Sequence, residues 1–116
     1  METAQNTIDV FGNGGWGQAN NFPRIFTAAL RARYNLDTVV NGFANTITAN
    51  MKPNLRIWDP YHGIEKSGAT ESVNSMMMQT DKGITKIFPS WYADKNAKFS
   101  KLRAEGAFIV SAEYDG

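Results

Sequence analysis

Four side chains in one short stretch, Asp59, His62, Glu65 and Glu71, supply acid and base groups, and Trp58 and Tyr61 stand among them. Carboxylates beside flat aromatic faces are what hydrolysis of a glycosidic bond requires. One acid protonates the leaving oxygen, one base activates water, and a sugar ring lies against the apolar ring surface. Each group also has a plainer reading. A loop aromatic is more often a lid over the local core, a carboxylate such as Glu71 in the first turn of a helix more often complements the helix dipole, and a single His is as often structural. The residues by themselves reach a candidate carbohydrate site and stop there.

A second constellation lies near the start, where "TIDVFGNGGWG" places Gly12, Gly14 and Gly17 in the G-x-G-x-x-G spacing of a dinucleotide loop behind a candidate strand, Ile8 to Phe11. That fingerprint needs its third glycine inside the following helix and an acidic residue at the end of a second strand about 20 positions on. Pro23 puts the helix start beyond Gly17, and the segment that follows is helical in pattern. The expectation is a tight glycine turn that lets Trp16 fold back on a neighbour.

Composition narrows the remaining classes. The chain has 116 residues, 42% hydrophobic and 20% charged, the make-up of one small globular unit. Twelve Lys and Arg against eleven Asp and Glu leave a formal charge of +1, which provides no electrostatic footprint for nucleic acid or an anionic membrane. There is no Cys and a single His, so thiolate chemistry, disulfides and a multi-histidine zinc site are excluded. No cofactor is called for, and no ligand cluster argues for a metal. No apolar run reaches the roughly 18 residues of a membrane span, and "METAQNTIDV" is not a signal peptide.

The elements that must position these groups follow from periodicity. Asn20 or Asn21 caps a helix expected over Pro23 to Arg33, with Ile25, Phe26, Ala29 and Leu30 inward. A second helix starts at Asp37, carries Val39, Val40, Phe43 and Ile47 on one face, and ends at Met51-Lys52-Pro53. Lys52 to Ser67 reads as a loop of about 15 residues, a length that is commonly functional. Gly68 to Gln79 reads as a third helix with Ala69, Val73, Met76 and Met77 inward, the methionines as core rather than as a binding surface. The period then changes: "ITKIFPSW", "FSKLR" and "AFIVSAEY" read as strands, and in the last Phe108, Val110, Ala112 and Tyr114 share one face. Helices followed by strands suit an α+β chain or two domains. Too few of each are present to close two cores, so the chain is expected to be cut from something larger.

From Asn20 onward, and above all in "GIEKSGATESVNSMMMQTDKGITKIFPSW" and "FSKLRAEGAFIVSAEYDG", the sequence resembles the C-terminal part of the family 95 glycoside hydrolases, the α-L-fucosidase-like enzymes. The resemblance rests on Gly68-Ala69-Thr70, Met76 to Gln79, Ile87-Phe88-Pro89, Trp91 and Leu102-Arg103-Ala104-Glu105-Gly106, in family order and at similar spacing. It implies a mainly α then β chain: residues 1–82 as the last helices of an (α/α)6 toroid of the six-hairpin glycosidase type, and 83–116 as the start of a C-terminal β domain. It further implies an inverting hydrolase releasing a terminal sugar such as α-L-fucose, acting outside the cytoplasm in a secreted or periplasmic parent.

The family's general base is an Asp in D-G-N-F-G-A-T. Alignment without a gap on Gly68-Ala69-Thr70 puts Ile64 at that position, with Glu65 one residue further on. Glu65 is therefore the candidate base, and Trp58, Tyr61 and His62 the candidate sugar-lining residues. The acid and most of the pocket would come from the rest of the catalytic domain, the chain's implied partner besides carbohydrate, and this segment alone is expected to be inactive. The alternative is a non-catalytic carbohydrate-binding relative that has lost the base.

Overall fold

The computed structural model describes residues 2–16, 22–57 and 64–116. Among them are helices α1 (Glu2–Gly15), α2 (Phe22–Arg31), α3 (Leu36–Asn50) and α4 (Ile64–Met77), then strands β1 (Met78–Asp81), β2 (Ile84–Ile87), β3 (Ala97–Arg103) and β4 (Ile109–Tyr114). The chain forms two compact units, 1–72 and 73–116, the division falling inside α4. The expected boundary after Lys82 falls in the turn between β1 and β2.

In the first unit α2 is central, packed on α1 and α3. Its Phe22, Phe26, Ala29 and Leu30 recur at helical spacing and are all buried, as periodicity requires of a core-facing stripe. Phe26 is the hub of an aromatic cluster: its ring lies 5.1 Å from Trp16, 5.3 Å edge-on to Phe22 and 5.3 Å edge-on to Phe43. Such tilted and edge-to-face pairs suit the ring quadrupoles. Trp16 thus does pack back on a neighbour, as the sequence suggested.

The helix ends are closed locally. Past α2, Arg33 takes φ 51°. There Tyr34 N donates to Ala29 O at 3.0 Å and Arg33 N to Leu30 O at 3.1 Å, a Schellman arrangement with Arg where glycine is usual. It ends the helix at Arg31, ahead of the expected Arg33. Asn35 caps α3, its Oδ1 accepting from Thr38 N at 2.9 Å. Of the expected α3 face only Val39 is buried; Val40, Phe43 and Ile47 are half-buried, and Thr46 is buried with its hydroxyl bonded to Gly42 O at 2.8 Å.

Three expectations are corrected here. The stretch Ile8 to Phe11 is helix, not strand, and Gly12 and Gly14 lie within α1 rather than in a turn; Gly17 lies outside the described residues. The cause is a polar contact face that apolar periodicity does not register. Gln5 Nε2 donates to Ala32 O at 3.1 Å and Arg33 O at 3.0 Å, Asp9 Oδ1 accepts from the Tyr34 hydroxyl, and Ile8 is buried between these positions in the sequence. Residues 5, 8 and 9 share one helical face, and Gln5 satisfies carbonyls that the end of α2 leaves unpaired.

Second, α4 begins at Ile64, not Gly68, and ends at Met77, not Gln79. The helix runs through Gly68, and on it Thr70 Oγ1 bonds Lys66 O at 3.1 Å and Ser72 Oγ bonds Gly68 O at 2.9 Å. The buried face of α4 carries Gly68, Ser72, Ser75 and Met76, while Val73 is 44% exposed. A serine that bonds the carbonyl one turn back can be buried without an unsatisfied hydroxyl.

Third, Met78 to Asp81 is a strand. It pairs antiparallel with β2, Met78 opposite Ile87 and Asp81 opposite Ile84, across the two-residue turn Lys82-Gly83. Both turn residues have positive φ, 50° and 77°, the type I′ geometry that matches the twist of a hairpin.

In the second unit β3 and β4 form a separate two-stranded antiparallel sheet. Its register shifts between Phe99 and Leu102, where Lys101 takes φ 59° and donates its N–H to Ser111 Oγ at 2.9 Å. The bulge turns the strand so that both Phe99 and Leu102 face inward. A 3-10 turn, Glu105–Ala107, precedes β4, with Gly106 at φ 81° and Ala104 N bonded to Phe108 O at 2.9 Å. β4 therefore starts at Ile109, and Phe108, expected on the inner face, is 68% exposed because it closes the turn; Val110, Ala112 and Tyr114 alternate inward as expected. Phe88, after β2, holds its ring 5.4 Å from Phe99 and 5.7 Å from Tyr114, which ties this unit together.

Candidate functional site

The segment leading to the candidate site is built at its near end. Beyond α3, Met51 and Ile57 form an isolated antiparallel bridge. Between them Lys52 N donates to Arg56 O at 2.8 Å, Leu55 N to Lys52 O at 2.8 Å, and Arg56 N to Asn54 Oδ1 at 3.1 Å. Leu55 takes φ 63° to close this turn, and Ile57 is 3% exposed. The expected loop is thus folded over 51–57 and helical from Ile64. The candidate residues thus begin immediately after a buried Ile57 that is bridged to Met51.

Trp58, Asp59, Tyr61 and His62 lie outside the described residues. Glu65 is the second residue of α4. With this helix start Glu71 does not lie in the first turn. Glu71, expected there, sits mid-helix on the exposed side of α4.

The buried polar side chains described on this helix are the hydroxyls of Ser72 and Ser75. Ser72 is fully buried and its Oγ lies 3.4 Å from Thr27 Oγ1, linking α4 to α2 within the first unit. An ionisable group of this unit is perturbed elsewhere: the Tyr34 hydroxyl, hydrogen-bonded to Asp9, is raised above the ordinary tyrosine value, first by that bond, then by desolvation and the nearby charge. The sequence reading missed this pair, because its two members lie on α1 and beyond α2 and share no local pattern. Among the described residues no group of three or more His, Cys, Asp or Glu could hold a metal ion, and no helix is long and apolar enough to cross a membrane.

In the second unit the loop between β2 and β3 is held by hydrogen bonds. Trp91 Nε1 donates to Lys95 O at 2.8 Å, the Tyr114 hydroxyl to Ala93 O at 2.9 Å and Gly116 N to Asn96 Oδ1 at 3.1 Å, while Lys95 Nζ lies 4.3 Å from the Tyr92 ring centre. These bonds order the chain between β2 and β3. Compared with family models, with curated proteins and with solved structures, the chain matches none.

Proposed function

We propose that the chain is the C-terminal portion of the catalytic domain of a family 95-like glycoside hydrolase, joined to the start of its β domain. The observation that supports this reading is the order of the motif blocks along successive elements. Gly68-Ala69-Thr70 is in α4, Met76 to Gln79 spans the passage from α4 to β1, and Ile87-Phe88-Pro89 and Trp91 end β2 and follow it. Leu102 to Gly106 ends β3 and enters the 3-10 turn. In this reading residues 1–82 belong to the toroid and 83–116 to the β domain, and the parent is secreted or periplasmic.

In the proposed reaction Glu65 accepts a proton from water as the water oxygen attacks the anomeric carbon. The glycosidic bond breaks with its electrons going to the leaving oxygen, which a carboxylic acid elsewhere in the toroid protonates. Inversion requires those two carboxyl groups about 6.5 to 9.5 Å apart, so that water fits between base and sugar. Trp58, Tyr61 and His62 line the sugar, and no cofactor takes part. The substrate is a terminal α-L-fucoside-like residue of an oligo- or polysaccharide.

One observation favours a second reading. Ile64 at the position of the family Asp cannot accept a proton, which suits a carbohydrate-binding relative without turnover.

The test is made on the protein encoded by the whole reading frame, with aryl α-L-fucoside and α-L-galactoside as substrates and the anomer of the released sugar read by NMR. Inverted product, with Glu65→Gln lowering kcat about a hundredfold or more and leaving sugar binding unchanged, supports the assignment. Undiminished turnover in that variant removes Glu65 from the base role. Saturable fucose binding without turnover selects the second reading, and neither binding nor turnover overturns both.

A further inference from the structure

We draw no further inference here: the strongest candidate, the exposed apolar patch of Phe108 and Ile109 where the 3-10 turn runs into β4, carries nothing because no contact in the structure shows what covers it.

Discussion

Replacing Gly42 by alanine should stabilise the first unit. Gly42 lies inside α3, where glycine costs roughly 0.5 to 1 kcal/mol relative to alanine because its unfolded backbone has more freedom to lose. The usual reason for a glycine at a helix contact is lack of room, and here there is room. A Cβ built at Gly42 would sit 3.5 Å from Phe26 Cε1 and 4.0 Å from Trp16 Cε3, ordinary van der Waals contact with two rings of the aromatic cluster. The hydrogen bond that Thr46 Oγ1 donates to Gly42 O uses only the backbone of residue 42 and survives. The expected gain is about 0.5 to 1 kcal/mol, or a rise of about 2 to 8 °C in Tm for a unit of this size. Urea unfolding followed by helical circular dichroism gives the same quantity as a higher midpoint at unchanged slope. Gly42→Val is the control: its second γ carbon pushes toward the Phe26 ring and its helix propensity is poorer, so its midpoint should fall below that of Gly42→Ala. A lower midpoint for Gly42→Ala itself would refute the reasoning, since it would mean that the rings stand closer to the α3 backbone than these distances.

Three further outcomes follow from the packing. Phe26→Ala removes the ring that touches Trp16, Phe22 and Phe43 and is fully buried. It should lose about 3 to 5 kcal/mol, and a urea midpoint near that of the parent would show the cluster to be loose. Gly106→Ala places a Cβ 3.0 Å from Phe108 Cε2 at φ 81°. The ring is exposed and can swing away, so the backbone term of about 1 to 2 kcal/mol dominates, and amide exchange across β3 and β4 should quicken; unchanged protection argues against the left-handed turn. The Tyr34 hydroxyl donates to Asp9, and its raised value means that the contact's contribution is complete below the ordinary tyrosine value of about 10 and fades as pH climbs through the higher folded value. The gap in urea midpoint between the parent and Tyr34→Phe should therefore close in strong alkali, and a gap that persists there argues against the pair.

What the sequence alone determined is the set of elements whose buried face is apolar. Phe26, Ala29 and Leu30 announced α2 by their spacing, Val39, Phe43 and Ile47 announced α3 in the same way, and Val110, Ala112 and Tyr114 announced β4 by alternation. In each case burial of hydrocarbon is the driving term, and hydrocarbon leaves a period in the chain. The roles proposed for Glu65, Trp58, Tyr61 and His62 rest on residue type and on the motif blocks around them.

Only the tertiary structure decided the elements held by polar contacts. α1 is fixed by Gln5 and Asp9 reaching Ala32, Arg33 and Tyr34, partners separated by 25 to 28 positions, and α4 buries Ser72 and Ser75 where the pattern pointed to Val73. A hydrogen bond depends on where its partner arrives in space, so a glutamine or serine that is buried and satisfied looks in the sequence like one that faces water. A glycine in the chain marks freedom to turn, and the packing around it decides whether the turn is taken.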